Sequence, residues 1–417
     1  MDAIRIEGRR RLRGTIHVSG AKNAILPALT AALLTDEEVC LANVPGVRDV
    51  DTMLKVLEHL GAEWSRRGDR VTVRLGRLLH PEAPYDLVRT MRASVLVLGP
   101  LVARHGQARV SMPGGCAIGA RPVDLHLDVL RALGAEVRQE HGYIEARAGR
   151  LRGASYTFDR ITVTGTENAM MAASLAEGRT VLRNCAQEPE VSDLAELLTR
   201  MGAQISGAGT DTIRIEGVES LGGAEHRVVP DRIEAGTFVC AAALAGDEVV
   251  IQGCRPEHLS ALLQRLTGCG INLEVGVDAI TIRGGDGFTS ADVSTRPYPG
   301  FATDLQAQYM VLMTQASGAA VIAETIFENR FMHVQELQRL GADIRCEGHN
   351  AFVKGPRSLS GAPVMATDLR ASACLILAGL VASGETLVRR VYHLDRGYDR
   401  IEEKLRGLGA EMERIKE

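Results

Sequence analysis

Hydrophobic and polar positions along the chain follow a pattern that repeats six times. The phrase L-x-x-L-G-A marks it, in copies that begin at Leu57, Leu130, Leu198, Leu263 (a degenerate copy, LQRLTGCGINL), Leu337 and Leu405. Leucines three residues apart followed by glycine are typical of a helix end, and the apolar residues after the glycine predict a strand. The starts lie 73, 68, 65, 74 and 68 residues apart. We therefore predict six small α/β modules of about 70 residues each.

A second pattern recurs in step with the first, because a polar cluster precedes an Ala-rich apolar run in every module. Two of the copies read SGAKNAILPALTAALL and ATDLRASACLILAGLVASG. Each run predicts a buried helix whose opening turn carries charged or amide side chains. The residues in these opening turns are Lys22, Asn23, Arg92, Glu167, Asn168, Asp231, Glu234, Asp304, Asp368 and Arg370.

These opening turns point to a ligand. Charges at the ends of buried helices are costly unless the ends meet at a common hydrated site. Helix N-termini carry partial positive charge and unpaired N–H groups, so we predict that they converge on a cleft for negatively charged ligands. The alternative is that the acidic and amide residues are only N-caps. That alternative explains Lys22, Arg92 and Arg370 poorly, because a cation opposes the helix dipole there.

Length and charge narrow the class of protein. The 417 residues exceed one ordinary core, so we predict two domains of three modules each, with a boundary near residues 228–231, in the α/β class. The 48 basic and 52 acidic residues leave no basic excess for nucleic acid. No apolar run reaches the ~20 residues of a membrane span, and the N-terminus lacks a signal-peptide core. We therefore expect a protein of the reducing cytoplasm with neither a nucleic-acid nor a membrane partner.

Cysteine and histidine spacing argues against a metal or a cofactor. None of the eight cysteines forms a C-x-x-C pair, and most lie among aliphatic residues as small buried hydrophobes. The histidines show no metal-ligand spacing. The glycine-rich GAGTDTIRIEG lacks the lysine of a P-loop, and no G-x-G-x-x-G follows an early strand. We expect neither a metal nor a cofactor.

One cysteine stands apart from the others. Residues 111–126 read SMPGGCAIGARPVDLH, a glycine-rich pattern that predicts a mobile loop around Cys116. A thiol with a pKa near ~8.5 is mostly protonated at neutral pH, so Cys116 can donate a proton, or attack an electrophile once ionised. The alternative is a glycine-rich surface loop with an idle cysteine.

Six segments together carry a resemblance to a known family. They are SGAKNAILP (19–27), PGGCAIGARPVDLH (113–126), FATDLQAQ (301–308), ETIFENRFMHV (324–334), MATDLRAS (365–372) and HLDRGYDRIEEKLR (393–406). From end to end, the chain resembles the UDP-N-acetylglucosamine 1-carboxyvinyltransferase family. The resemblance implies a two-domain inside-out α/β barrel of six repeated β-α units. It also implies that residues 22–229, with a catalytic loop at 111–122, form one domain, that residues 1–21 and 230–417 form the other, and that the active site lies in the cleft between them.

The resemblance also implies an activity and its catalytic residues. The family transfers the enolpyruvyl group of phosphoenolpyruvate to the 3-hydroxyl of UDP-N-acetylglucosamine, the first committed step of peptidoglycan synthesis. Cys116 matches the loop acid that protonates the methylene carbon and can carry a covalent adduct, and Asp304 matches the candidate base. Residues that match the phosphoenolpyruvate contacts are Lys22, Asn23, Arg121 and Arg396. The partners implied are these two small molecules.

The remaining matches surround the nucleotide sugar. Residues at UDP-sugar positions are Arg92, Arg121, Pro122, Val123, Asp124, Leu125, Asp304 and Ile326. Arg160, in DRITVTGTEN, stands where the family often has lysine. Further active-site charges are matched by Asp231, Arg330, Asp368 and Arg370. Two alternatives remain: a transferase like 5-enolpyruvylshikimate-3-phosphate synthase, and a relative that binds the UDP-sugar without catalysis.

Overall fold

The computed structural model describes residues 2–89, 91–112, 123–285 and 287–417. Within these ranges the strands are β1 (Asp2–Glu7), β2 (Leu12–His17), β3 (Val39–Ala42), β4 (Glu63–Arg67), β5 (Arg70–Arg74), β6 (Glu82–Ala83), β7 (Gln107–Ser111), β8 (Glu136–Glu140), β9 (Tyr143–Arg147), β10 (Ser155–Thr157), β11 (Arg179–Arg183), β12 (Gln204–Ser206), β13 (Thr212–Glu216), β14 (Ala224–Arg227), β15 (Gly246–Gln252), β16 (Asn272–Val275), β17 (Ala279–Arg283), β18 (Val293–Ser294), β19 (Gly318–Ala323), β20 (Asp343–Glu347), β21 (Asn350–Gly355), β22 (Pro363–Met365), β23 (Glu385–Arg389) and β24 (Glu411–Lys416).

The α-helices of the same ranges are α1 (Lys22–Ala31), α2 (Arg48–Leu60), α3 (Tyr85–Val88), α4 (Leu98–His105), α5 (Asp124–Ala132), α6 (Val163–Ser174), α7 (Pro189–Arg200), α8 (Arg232–Ala245), α9 (Ser260–Gly268), α10 (Gln306–Gln315), α11 (Val334–Arg339), α12 (Leu369–Val381) and α13 (Ile401–Gly407). Short 3-10 turns cover Ala32–Leu34, Arg92–Val97, Pro256–Leu259, Thr303–Leu305 and Val391–Arg396. None of the helices in the described ranges is long and apolar enough to cross a membrane.

The described strands form six four-stranded sheets that share one plan. In each sheet two strands run parallel and two more add on antiparallel. For example, β10 pairs parallel with β11, β13 lies antiparallel to β11, and β12 lies antiparallel to β13. In four of the sheets a helix connects the two parallel strands, as parallel pairing requires. The parallel pairs β14–β3 and β2–β15 instead join strands that are distant in sequence. The six modules predicted from the repeat, and the α/β class, are confirmed.

Glycine ends the helix in each module as predicted. Residues Gly61, Gly134, Gly202, Gly270, Gly341 and Gly409 have positive φ values from 85° to 110°. This left-handed conformation is strained for other residues, so the glycine ends the helix and turns the chain into the next strand. The strands that follow are β4, β8, β12, β16, β20 and β24.

The described residues divide into two compact units with three sheets each. The first unit contains residues 20–112 and 123–229, and its apolar core includes the buried helices α1, α4 and α6. The second contains residues 2–19 and 230–417, where α8, α10 and α12 pack against one another in a separate core. The chain passes from one unit to the other at residues 19–20 and at 229–230.

Strands distant in sequence close each unit. In the first unit β14 pairs parallel with β3, with Ala224 opposite Val39. In the second unit β2 pairs parallel with β15, and β1 lies between β23 and β24, where Ile4 faces Val388 and Arg414. The two N-terminal strands are therefore built into the sheets of the second unit.

Candidate active site

In the second unit, Asp304 lies between two buried arginines. It belongs to the 3-10 turn Thr303–Leu305 that leads into α10. Its Oδ1 accepts a hydrogen bond from Arg330 and its Oδ2 accepts one from Arg370, both at 2.7 Å. Both arginine side chains are 6% exposed, and that of Asp304 is 25% exposed. Two guanidinium groups face one carboxylate, so this cluster favours an added anion.

The two arginines control the ionisation of Asp304. Burial alone would raise the pKa of this carboxyl, but Arg370 and Arg330 together lower the pKa well below its usual value. Burial would lower the pKa of Arg370, yet Asp304 raises it above its usual value. Asp304 and Arg370 are therefore both charged at neutral pH. The structure brings together three of the residues predicted for the site.

Two predicted site carboxylates cap helices. Asp231 Oδ1 accepts hydrogen bonds from the N–H groups of Ile233 (2.8 Å) and Glu234 (3.0 Å) at the start of α8. Asp368 Oδ1 accepts from Arg370 (2.8 Å) and Ala371 (3.0 Å) at the start of α12. Both side chains therefore serve as N-caps. In α12 the cap lies two residues before Arg370 and accepts a hydrogen bond from its N–H, so it also fixes the backbone that carries this arginine.

The sequence predicts that Glu234, at the start of α8, faces a hydrated cleft. In the structure its side chain is buried and forms an ion pair with Lys404. Its Oε1 lies 2.8 Å from Lys404 Nζ, and its Oε2 accepts a hydrogen bond from the N–H of Ser19 at 2.6 Å. Lys404 Nζ also donates to Ser19 Oγ at 2.6 Å. Burial raises the pKa of Glu234 although Lys404 opposes the shift. This contact satisfies Glu234 without a ligand, so the prediction for this residue is wrong.

Arg396 ends the 3-10 turn Val391–Arg396 and is half-buried. Its neighbour Asp395 receives a two-pronged contact from Arg414, whose Nη2 and Nη1 lie 2.7 and 3.1 Å from Oδ1 and Oδ2. Arg414 also donates to Glu402 at 2.6 Å. A paired guanidinium–carboxylate contact fixes orientation as well as distance. Arg414 on β24 therefore holds the turn that carries Arg396.

In the first unit, Lys22 begins α1 and lies against an acidic partner. Its Nζ is 3.1 Å from Asp49 Oδ2, and the two side chains are 15% and 4% exposed. Asp49 lies in the first turn of α2, where a negative charge is favourable. It offsets a cation that would otherwise oppose the dipole of α1. Asn23 is the next residue of α1 and is half-buried. The sequence analysis did not identify Asp49, because its pattern marks the end of α2 at Gly61 and not the start of this helix.

The predicted UDP-sugar residues of this unit occupy two kinds of environment. Asp124 begins α5 and lies 3.4 Å from Arg160, with side chains 51% and 58% exposed. Val123 and Leu125 are buried in the core, so any ligand contact would use their backbone. Arg92 opens the 3-10 turn before α4 and is half-buried. Pro100 in the first turn of α4 explains why the helix begins only at Leu98, because proline is tolerated there.

Behind these residues lies His126, a buried histidine that the sequence analysis did not assign. Asn168 Oδ1 accepts a hydrogen bond from the N–H of Gly99 (2.8 Å), so its amide nitrogen faces His126 Nδ1 (3.0 Å). An amide N–H can only donate, so Nδ1 is unprotonated and Nε2 carries the hydrogen toward Thr164 Oγ1 (3.2 Å). The network therefore requires a neutral His126.

The ionisation of His126 predicts a pH dependence of stability. Burial and the nearby Arg92 lower the pKa of His126 to about 4 from its usual 6.5, although Asp124 opposes the shift. Because the unfolded chain binds the proton more readily, the stabilisation is complete above pH 6.5 and is lost as pH falls toward 4. We expect the free energy of unfolding to drop by about 2 kcal/mol from this group between about pH 7.5 and 5.

Urea unfolding of the wild type and of His126→Gln at both pH values measures the contribution of His126 to the free energy of unfolding. The variant should be less stable at the higher pH and should lose about 2 kcal/mol less on acidification. His141→Asn is the control, because His141 is exposed in a turn of the same unit with a positive φ of 52°, which asparagine tolerates. Equal pH dependence in the wild type and His126→Gln would contradict the assignment.

Two further opening-turn predictions are wrong. Glu167 and Asn168 lie in the second turn of α6 and are each 1% exposed. Asn168 serves the His126 network. Burial, followed by the nearby Glu190, raises the pKa of Glu167 well above its usual value. The Ala-rich run indicated a buried helix correctly, but the sequence does not show that these polar residues face neighbouring chain segments.

Several predicted residues lie outside the described ranges. These are Cys116, Arg121 and Pro122, within the predicted loop 111–122. Ser111 ends β7.

Of the seven described cysteines five are buried, but Cys40 is half-buried and Cys346 is exposed. The prediction of a buried cysteine is therefore wrong for Cys346. Among the described residues no group of three or more His, Cys, Asp or Glu side chains is placed to hold a metal ion.

Comparison with known proteins gives the family. The family model described as EPSP synthase (3-phosphoshikimate 1-carboxyvinyltransferase) matches residues 6–405. Curated proteins named UDP-N-acetylglucosamine 1-carboxyvinyltransferase match the whole chain: that of Koribacter versatilis is 58% identical over 100% of this chain and 97% of its own, and that of Solibacter usitatus is 59% identical over 100% of both. That of Anaeromyxobacter dehalogenans is 60% identical over 100% of both chains.

Solved structures show the same fold. The enolpyruvyl transferase NikO from Streptomyces tendae superposes with a TM-score of 0.90 at 28% identity over 99% of both chains. EPSP synthase from Acinetobacter baumannii superposes with a TM-score of 0.75 at 18% identity over 100% of both chains, a likeness of fold alone. The chain belongs to the EPSP synthase family of carboxyvinyltransferases. Within that family its sequence places it among the members named UDP-N-acetylglucosamine 1-carboxyvinyltransferase.

Proposed function

We propose that the protein transfers the enolpyruvyl group of phosphoenolpyruvate to the 3-hydroxyl of UDP-N-acetylglucosamine and releases phosphate. The observation that carries the proposal is the Asp304 carboxylate held between two buried guanidinium groups. The full-length relatives at 58–60% identity supply the acceptor, because each is named for UDP-N-acetylglucosamine. The reaction would be the first committed step of peptidoglycan synthesis.

The proposed chemistry is an addition followed by an elimination. Cys116 donates its proton to the methylene carbon of phosphoenolpyruvate, which leaves C2 electrophilic. The sugar 3-hydroxyl attacks C2 while Asp304 accepts its proton, giving a tetrahedral ketal. Loss of a proton from the new methyl group and cleavage of the C2–O bond to phosphate restore the double bond.

The charges around Asp304 suit this order of reaction steps. A carboxylate with a strongly lowered pKa is a weak base until its cationic partners are drawn away. Both substrates are polyanions, so their binding weakens the hold of Arg330 and Arg370 on Asp304. The pKa of Asp304 then rises toward that of a working base. Binding of the substrates thus prepares the proton acceptor.

The other site residues take roles by resemblance to the family. In this proposal Lys22, Asn23, Arg121 and Arg396 bind phosphoenolpyruvate. The UDP-sugar is bound by Arg92, residues 121–125, Arg160 and Ile326, while Asp231 and Asp368 act through the helix starts that they cap. Residues 22–229 form one domain, and residues 1–21 with 230–417 form the other. The seven described cysteines are free thiols, which suits the cytoplasm as the compartment.

Phosphate release tests the proposed function against its closest alternative. The family model carries the name of the shikimate enzyme, so shikimate 3-phosphate is the competing acceptor. We expect phosphate release from phosphoenolpyruvate with UDP-N-acetylglucosamine and none with shikimate 3-phosphate. Release with shikimate 3-phosphate would favour the sister activity. UDP-sugar binding without any release would favour a non-catalytic binding protein.

A further inference from the structure

Glu324 collects four hydrogen bonds on one buried carboxylate. It follows β19 and is 1% exposed. Its Oε1 accepts hydrogen bonds from Thr295 Oγ1 (2.9 Å) and from the N–H groups of Ile326 (2.9 Å) and Phe327 (3.2 Å). Its Oε2 accepts from Thr303 Oγ1 (2.8 Å). The two oxygens therefore hold two different segments of the second unit.

The Oε1 side fixes the turn that carries Ile326. Thr295 Oγ1 accepts a hydrogen bond from the N–H of Thr325 at 2.9 Å, so its own proton is directed to Glu324. Thr325 Oγ1 in turn donates to the carbonyl of Thr295 at 2.5 Å. The N–H of Ile326 is occupied by Glu324, so Ile326 would contact a ligand through its carbonyl or its side chain. Loss of the Oε1 contacts would release this turn.

The Oε2 side fixes the turn that carries Asp304. Thr303 is the residue before Asp304 in the same 3-10 turn. Arg330, six positions after Glu324, donates to Asp304 Oδ1 at 2.7 Å. Residues 303–304 and the segment 324–330 are thus joined at two points, one at each end of that segment. Such double attachment restricts both position and rotation of the Asp304 carboxylate.

We propose that Glu324 is a positioning residue that places both the Asp304 base and the Ile326 turn for the acceptor sugar. This inference rests on the proposed function, in which Asp304 removes the proton of the 3-hydroxyl and Ile326 lines the UDP-sugar. Glu324 touches neither substrate. It acts by holding the two turns in one arrangement, so that the bound hydroxyl meets the carboxylate. Misplacement of a reacting group by about 1 Å can cost as much as 10²-fold in rate.

Two threonine variants separate the two sides of Glu324. Thr303→Val removes the Oε2 contact, and we expect kcat to fall about tenfold with little change in KM for UDP-N-acetylglucosamine. Thr295→Val removes an Oε1 contact and the partner of the Thr325 N–H. We expect it to raise KM and the calorimetric Kd for the UDP-sugar about tenfold while kcat changes less than threefold. KM for phosphoenolpyruvate should stay near the wild-type value in both.

Substitutions of Glu324 itself complete the test. Glu324→Ala should show both defects. Glu324→Gln should recover most of the activity, because its carbonyl oxygen can accept the three hydrogen bonds made to Oε1 and its NH2 group can donate to Thr303 Oγ1. Thr267→Val is the matched control, since Thr267 on the exposed side of α9 donates one hydrogen bond to the carbonyl of Leu263 at 2.9 Å. This control should keep wild-type kcat and KM. The two threonine variants keep the test valid if Glu324→Ala fails to fold.

The outcomes distinguish the two proposals. The positioning role is supported if the wild-type protein is active with the UDP-sugar, Thr303→Val has a lowered kcat and Thr295→Val has a raised KM. If the wild-type protein is active and both variants have lowered melting temperatures but unchanged kcat and KM, Glu324 is a purely structural residue. Absence of phosphate release by the wild type would overturn the proposed function itself, and with it the role of Glu324.

Discussion

Replacing Asp304 by asparagine is expected to lower kcat by about 10²–10⁴-fold, the usual contribution of a general base. Asparagine keeps the shape, and its Oδ1 can accept a hydrogen bond from one of the two arginines, but its NH2 group then faces the other guanidinium. It cannot take the proton of the acceptor hydroxyl. KM for phosphoenolpyruvate should not rise, because the two guanidinium groups keep their positive charge for the anionic substrate. Steady-state phosphate release measures both quantities.

The same substitution is expected to reduce stability. It leaves two guanidinium groups that are each 6% exposed without their counter-charge. Breaking such a buried pair costs roughly 3 kcal/mol of unfolding free energy, so the assay must be run well below the melting temperature of the variant. Asp343→Asn is the control, because Asp343 pairs with Arg357 at the surface and both side chains are almost half exposed. It should change neither kcat nor stability by much. A folded Asp304→Asn variant with kcat within tenfold of the wild type would contradict the assigned base.

Replacing Cys116 by alanine is expected to abolish turnover to a similar extent, because no other group is assigned to protonate the methylene carbon. The same thiol should react with an epoxide phosphonate that resembles phosphoenolpyruvate, such as fosfomycin, since a thiolate opens a strained ring readily. Intact-mass analysis should show one adduct on the wild type and none on Cys116→Ala.

The exposed Cys346 provides the control for this reaction. Cys346→Ala should retain full phosphate release and should still take up one adduct. Labelling that persists in Cys116→Ala, or that disappears in Cys346→Ala, would remove Cys116 as the reactive thiol. Turnover within tenfold of the wild type in Cys116→Ala would remove it as the catalytic acid.

The modular fold was predictable because its signals are local. Each L-x-x-L-G-A copy combines a helix end with a glycine whose positive φ other residues rarely adopt, as at Gly61 and Gly270. Strand pairing between distant segments was not predictable in this way. The pairing of β14 with β3, and of β1 with β23 and β24, joins residues far apart in the chain, such as Ala224 with Val39 and Ile4 with Val388. Nothing in the neighbouring residues of these strands specifies such partners.

The candidate site was predictable only in part, for a related reason. Residue type and position identified Asp304 and Arg370, and the resemblance to the family added Arg330. The structure brings the three into contact. The same reasoning placed Glu167 and Asn168 at a wet site, whereas both are buried. Polarity in a sequence shows that a side chain needs a partner. It does not show whether that partner is a ligand or another part of the chain.

Glu324 is the opposite case, a residue with a proposed role at the site that the sequence did not reveal. It lies within ETIFENRFMHV, one of the segments that carry the resemblance, but the sequence pattern assigns it no role. Its four hydrogen-bond donors come from residues 295, 303, 326 and 327. Two of these donors are backbone N–H groups, which every sequence contains. A residue that organises backbone therefore leaves little trace in the identities of its partners.

Identification of the product tests the central claim most directly. The protein would be incubated with UDP-N-acetylglucosamine and with phosphoenolpyruvate labelled with carbon-13 at the methylene carbon, and the mixture followed by NMR. We predict that the label moves into a vinyl ether on the 3-oxygen of the sugar, with one phosphate released for each molecule formed. Label that remains in phosphoenolpyruvate, or that appears in pyruvate alone, would contradict enolpyruvyl transfer to the UDP-sugar.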